Sequence, residues 1–224
     1  MFRIKICGIT HRPDAFVAAA LGADAIGLNF FEGSPRYLPP SLAGNVAAAI
    51  PNGVAKVGVF VNATADEVIR IAERLRLDFI QLAGDESPDF VAALDGRPVI
   101  KTFRFGAEGL EPLQRFLDQA ARRRCRLAAV LIDTAQPGHF GGTGTVVDWS
   151  RLRSDLDRLR SSNPPLILAG GLTPDNVAEA IARVCPTAVD VASGVEHAPG
   201  RKDALLVSRF IGAATAAFAR LPLE

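Results

Sequence analysis

Cys7, Arg36 and Asp133 are the side chains of this 224-residue chain best placed to do chemistry. Cys7 closes the apolar run Ile4–Cys7 and is followed by Gly8. Deprotonated at a strand end, a cysteine is a base or a nucleophile. Buried and neutral, it is a small apolar side chain. Asp133 follows the apolar run Ala128–Ile132. A carboxylate there is costly unless it is partnered or used, and burial raises its proton affinity, which suits a general acid. Its structural alternative is a helix or loop cap. Arg36 lies in Gly33-Ser34-Pro35-Arg36-Tyr37, a proline-stiffened loop. Its planar guanidinium can grip a carboxylate through two parallel hydrogen bonds, or it can pair with Glu32 at the surface.

Three glycine-rich segments offer backbone instead of side chains. Gly138-His139-Phe140-Gly141-Gly142-Thr143-Gly144 has four glycines in seven residues, which fits a loop whose main chain approaches a ligand closely. Gly142 and Gly144 are its candidate substrate contacts, and His139 is given no role. The other two segments are Ala169-Gly170-Gly171-Leu172 and Ala192-Ser193-Gly194-Val195. Glycine also serves ordinary tight turns, so each alone is a weak signal.

The elements that must position these residues are short apolar runs. They are Ile4–Cys7, Ala25–Asn29, Ala55–Phe60, Phe79–Leu82, Val99–Phe103, Ala128–Ile132, Leu166–Ala169 and Ala188–Val191. Nearly continuous apolar runs of this length read as strands buried on both faces, as in a parallel sheet. Helical periodicity fills the gaps. Over Thr64–Leu75, Val68, Ile69, Ala72 and Leu75 share one face, and Thr64 with Glu67 has capping-box spacing. Thr173-Pro174 predicts an N-cap followed by a first helical residue, and Gly22 a helix stop. Eight such units predict an α/β fold, a closed (β/α)8 TIM barrel forming one domain over residues 1–224. An open doubly wound sheet is weaker, because no G-x-G-x-x-G follows the first strand. Ser161-Ser162-Asn163-Pro164-Pro165 reads as a loop before the seventh strand. In such a barrel the site lies at the C-terminal strand ends, and phosphate often binds after the last two strands. Gly170, Gly171, Ser193 and Gly194 thereby become a candidate phosphate cradle.

A formal net charge of +1 gives no electrostatic reason to expect nucleic acid or an anionic membrane as partner. No apolar run is long enough to span a bilayer, and the charged start lacks a secretory signal's apolar core. Three widely spaced cysteines form neither a metal motif nor a disulfide framework. The expectation is a cytoplasmic protein with reduced thiols, acting on a small-molecule substrate as a monomer or weak homodimer.

Lys5-Ile6-Cys7-Gly8-Ile9-Thr10, Gly33-Ser34-Pro35-Arg36-Tyr37, Gln81-Leu82 with Gly84-Asp85-Glu86, and Asp133 with the Gly141–Gly144 loop follow one another along the chain. Ala169-Gly170-Gly171-Leu172 and Ser193-Gly194-Val195-Glu196 come next, then Gly200 and Lys202-Asp203. In this order the chain resembles the phosphoribosylanthranilate isomerase family of tryptophan biosynthesis over almost its whole length. The resemblance implies an Amadori rearrangement of N-(5-phosphoribosyl)anthranilate, a phosphosugar substrate, with no metal or organic cofactor. It implies Asp133 as general acid, Cys7 as general base and Arg36 as the anchor for the anthranilate carboxylate. Acid and base must start as carboxylic acid and thiolate, so a raised carboxyl pKa and a lowered thiol pKa are expected. Lys5 is near in sequence, but the alternation of neighbouring strand residues between faces argues against its helping the thiolate.

Two positions depart from the family pattern. Ala83 stands where histidine is usual, and Ala192 where serine is usual. The expected effect is altered affinity with the chemistry intact. The alternatives are a related aminoaldose isomerase of the histidine pathway, which has aspartate on the first strand where this chain has Cys7, and a non-catalytic phosphosugar-binding barrel.

Overall fold

The computed structural model describes residues 1–134, 148–159 and 164–222. Eight parallel strands close on themselves in chain order: β1 Ile4–Cys7, β2 Ala25–Asn29, β3 Ala55–Phe60, β4 Phe79–Leu82, β5 Val99–Arg104, β6 Ala129–Asp133, β7 Leu166–Ala169 and β8 Ala188–Val191. β1 pairs with both β2 and β8, which seals the ring. The helices are α1 Arg12–Ala20, α2 Pro40–Ala47, α3 Ala65–Leu75, α4 Pro88–Ala93, α5 Glu111–Arg122, α6 Trp149–Asp157, α7 Val177–Val184 and α8 Ala204–Phe218. This is the (β/α)8 barrel that the apolar runs predict.

Strand parity divides the core in two. Ile4, Ile6, Ile26, Leu28, Ile80 and Leu82 face outward and pack with the helices in the larger cluster. Ala25, Val57, Ile100, Ala129, Leu131, Ile167 and Ala188 fill the barrel interior with a smaller one. Both faces are therefore buried, which is why the strands read as continuous apolar runs. β5 and β6 each run one residue past the predicted end, because Arg104 and Asp133 continue the ladder in register. Asp133 is thus the last residue of β6.

Two of the three helix-end signals in the sequence hold. Thr64 Oγ1 accepts from the Glu67 amide at 3.3 Å and starts α3. Val68, Ala72 and Leu75 are buried as expected, Ile71 completes the face, and Ile69 is only partly buried. Gly22, at φ +101°, follows the end of α1. Thr173-Pro174 does not open a helix. Asn176 Oδ1 accepts from the Thr173 amide at 2.8 Å, and its Nδ2 donates to the Gly171 carbonyl at 3.0 Å. That side chain holds a turn, and α7 begins at Val177.

After β8 come a 3₁₀ turn, Ser193–Val195, and a short antiparallel pair, β9 Glu196–Ala198 with β10 Arg201–Lys202. Among the described residues, no helix is long and apolar enough to cross a membrane.

Candidate active site

Cys7 is the half-buried last residue of β1. Lys5, two residues earlier, lies on the same face, because the strand period is two. This corrects the reading that set Lys5 aside: immediate neighbours alternate, but residues two apart do not. Lys5 is fully buried inside the barrel. Its Nζ donates to Asp190 Oδ1 and to Gln81 Oε1, each at 2.9 Å. Gln81 Nε2 donates in turn to Thr102 Oγ1 at 3.2 Å. A polar chain thus crosses the interior through β8, β1, β4 and β5. β2 makes room for it: a Cβ on Gly27 would lie 2.6 Å from Cys7 Sγ and 3.1 Å from Lys5 Cε.

Burial pushes the Cys7 thiol pKa up, and the Asp190 carboxylate adds to the effect. Lys5 and Lys202 pull it down without reversing it. The expected lowered thiol pKa is therefore not found, because burial disfavours the thiolate and the anion of the interior pair acts on the sulfur as well as its cation. Burial disfavours the Lys5 ammonium, yet Asp190 and Cys7 hold its pKa above the usual lysine value.

Arg36 reaches the same place from the loop after β2. Gly8 has φ +75°, and a Cβ there would lie 2.4 Å from Arg36 Cδ, so the arginine stem crosses the main chain right after Cys7. Its guanidinium does not pair with Glu32, which accepts instead from Tyr37 Oη at 3.3 Å. Arg36 Nε donates to Glu196 Oε1 at 2.9 Å, and Nη2 to Oε2 at 2.7 Å. Lys202 Nζ donates to Glu196 Oε1 at 2.7 Å and to the Ala192 carbonyl at 3.0 Å. Burial alone would raise the Glu196 pKa, but its hydrogen bonds to Arg36 and Lys202 hold it below the usual carboxylate range. Two cations share one anion, so the cluster is net positive and suits a carboxylate ligand.

Asp133 has the parity of Ala129 and Leu131, which pack inside the barrel. Its half-buried side chain therefore belongs to the mouth end of β6, three strands round the ring from β1. The hydroxyl of the next residue, Thr134, donates to the carbonyls of Ala169 and Gly170 at 2.9 and 3.0 Å. This ties the end of β6 to the turn after β7. Gly170 and Gly171 have φ of +93° and +64°. A Cβ on Gly194 would lie 1.9 Å from the Leu172 carbonyl oxygen, so the turns after β7 and β8 touch main chain to main chain. Ser193 is exposed beside them. Gly194→Ala is expected to force the two turns apart, lowering the melting temperature by about 2–12 °C. A wild-type melting temperature would refute the contact. Gly142, Gly144 and His139 lie outside the described residues.

Residues 4–213 match the family model for N-(5'-phosphoribosyl)anthranilate (PRA) isomerase. The chain is 46% identical to N-(5'-phosphoribosyl)anthranilate isomerase of Geobacter metallireducens over 217 residues, 96% of this chain and 100% of that one. It is 48% identical to that of Acidithiobacillus ferrooxidans over 212 residues, 94% and 96% of the two chains. The chain belongs to this family. Among solved structures, phosphoribosyl anthranilate isomerase of Thermotoga maritima superposes with a TM-score of 0.81 at 38% identity, covering 96% of this chain and all of that one. A phosphoribosyl anthranilate isomerase in complex with reduced 1-(o-carboxyphenylamino)-1-deoxyribulose 5-phosphate superposes at 0.78 and 37% identity, with the same coverage.

Ala83 and Ala192 are the two positions read from the sequence as departures from the family pattern. Ala83 does not loosen its loop. Lys101 Nζ, from β5, donates to the Gly84 carbonyl at 2.7 Å and to Glu86 Oε2 at 3.1 Å, and Glu86 Oε1 accepts from the Asn62 amide at 2.9 Å. The buried ion pair therefore fixes the loops after β3 and β4 to each other. At Ala192 the main-chain carbonyl serves, holding Lys202. Sequence reasoning assigned no role to Lys5, Asp190, Gln81, Glu196 or Lys202. The available signal was a charge of the inward parity within an otherwise apolar strand: Lys5 in β1 and Asp190 in β8.

Proposed function

We propose that this isomerase converts N-(5'-phosphoribosyl)anthranilate into 1-(2-carboxyphenylamino)-1-deoxyribulose 5-phosphate, the aldose–ketose step of tryptophan biosynthesis, with Cys7 as base, Asp133 as acid and Arg36 as carboxylate anchor. The observation that carries this reading is the continuity of the mouth. The Arg36 stem lies over Gly8 beside Cys7, and its guanidinium is held by Glu196, three residues after Ser193. A ligand with a carboxylate at one end and a phosphate at the other fits that run, its phosphate against Gly170, Gly171, Ser193 and Gly194.

Asp133 gives its proton to the furanose ring oxygen as the C1′–O bond breaks, and the nitrogen lone pair forms the protonated imine, with the N–H kept. That imine is the electron sink. Cys7 thiolate then takes the C2′ proton, the C–H electrons form the C1′–C2′ double bond of the enolamine as the C=N pair returns to nitrogen, and tautomerisation adds a proton to C1′ while the C2′ hydroxyl loses its own, leaving the ketone. No oxidant or reductant is needed. Near-neutral charge and three free thiols support a cytoplasmic setting, and ordinarily charged helix faces a monomer or weak homodimer.

The test is the loss of substrate fluorescence on adding purified protein, with the labile substrate generated in the cuvette. Conversion is expected, and folded protein that leaves the substrate unchanged would overturn the reading. Arg36→Ala is expected to lower kcat/KM by about 10- to 100-fold, mainly through KM, as the loss of a charge-assisted hydrogen bond does. Equal kcat/KM for substrates with and without the carboxylate would remove that role.

A further inference from the structure

The base needs an explanation that Cys7 alone does not supply. A thiol in a barrel interior gives up its proton only if something beside it stabilises the sulfur anion. The groups acting on Cys7 are Lys5 on its own strand, Asp190 on β8 and Lys202 on β10. Lys202 is committed to Glu196 and Ala192. Lys5 is different. Its Nζ sits at the centre of the interior with two fixed acceptors, Asp190 and Gln81. Its Cε and the Cys7 sulfur converge on the one place where β2 carries no side chain, Gly27. Gly27 is also the Cα partner of Cys7 in the ladder. The seat for this pair is therefore built into the sheet register.

We propose that Lys5 is the positioning residue for Cys7: held by Asp190 and Gln81, its ammonium stabilises the thiolate that takes the substrate proton, while Asp190 opposes it. The inference rests on Cys7 being the base of the proposed isomerisation. Lys5 touches no substrate atom. It acts through the sulfur, and Asp190 acts in two ways, keeping the lysine protonated and repelling the thiolate. The two charges therefore set the proton affinity of Cys7 in opposite directions.

The test reads that affinity directly. The rate of iodoacetamide alkylation of Cys7 is followed against pH by mass spectrometry of its peptide, which separates it from Cys125 and Cys185. In Lys5→Met the midpoint of the profile is expected to rise by about one to three pH units, the effect of losing a neighbouring opposite charge. Lowering the thiolate population by that much reduces kcat by about 10- to 1,000-fold, with KM little changed. In Asp190→Asn, which keeps shape and a hydrogen-bond acceptor, the midpoint is expected to fall, because the Cys7 thiolate itself still favours the Lys5 ammonium and the repulsion by Asp190 is gone. Opposite shifts are the signature, since a merely structural role for either residue moves neither midpoint. Unchanged profiles, or shifts in the same direction, overturn the proposal. If Lys5→Met does not fold, Lys5→Gln is read in its place, and an unchanged or lowered midpoint there is fatal. Alkylation needs no turnover, so an inactive wild type would defeat the isomerase reading and leave this measurement standing.

Discussion

Cys7→Ala is expected to lower kcat by about 10²- to 10⁴-fold, the span of a lost general base, while the protein stays folded. The substitution removes one half-buried sulfur lying over Gly27 and touches no ladder bond. Its melting temperature should stay within a few degrees of wild type. KM should change little, because the anchors for carboxylate and phosphate lie elsewhere. Normal turnover by folded Cys7→Ala would eliminate the base. The same residue shapes the pH dependence. Burial and Asp190 make the thiol hold its proton more tightly than usual, whereas a carboxyl ordinarily titrates several units lower. With an acid of ordinary carboxyl affinity, the proposed mechanism then runs through thiolate and carboxylic acid together as a minority form. A minority form of this kind gives a level kcat/KM between two limbs, the rising limb set by the acid and the falling limb by the base. The falling limb is expected above the ordinary thiol value of about 8.5. A decline in kcat/KM beginning near neutrality would contradict this order of affinities.

Asp133→Asn is expected to lower kcat by a similar factor, about 10²- to 10⁴-fold, for a different reason. Asparagine keeps the shape of the side chain at the end of β6 but has no proton to give the ring oxygen. Ring opening would then limit turnover, with KM near wild type. Combining it with Cys7→Ala gives a sharper reading. Two groups serving successive steps of one reaction are expected to be non-additive, so the double variant should be little slower than the worse single one. Full multiplication of the two losses would show independent action. A folded Asp133→Asn protein with wild-type kcat would remove the acid.

What could be read from the chain was set by how local each cause is. Six of the eight strands have the predicted bounds, because burial on both faces is written in every run. The Thr64 cap and the Gly22 stop depend on residues within one turn, and both are found. Thr173-Pro174 misled because Asn176, three residues on, closes a competing turn with its side chain. Cys7, Arg36 and Asp133 could be placed at the mouth because each follows or ends a strand. Their partners could not. Glu196 is 160 residues from Arg36 and Asp190 is 185 from Lys5, and only closure of the ring brings them together. The raised thiol pKa was missed for the same reason, since ring closure both buries the sulfur and brings Asp190 beside it across the seam between β8 and β1.

Gly194 gives the mouth two unequal halves. On the side of β1, β2 and β6, the proposed contacts are individual side chains, so they can be edited one residue at a time. On the side of β7 and β8 the Leu172 carbonyl fills the space a side chain at 194 would need, and the two turns behave as one joint. A change in the length or path of either turn must be matched in the other. Adapting this barrel to a different ligand is therefore a matter of point substitution at one end of the pocket, and at the other of grafting both turns together.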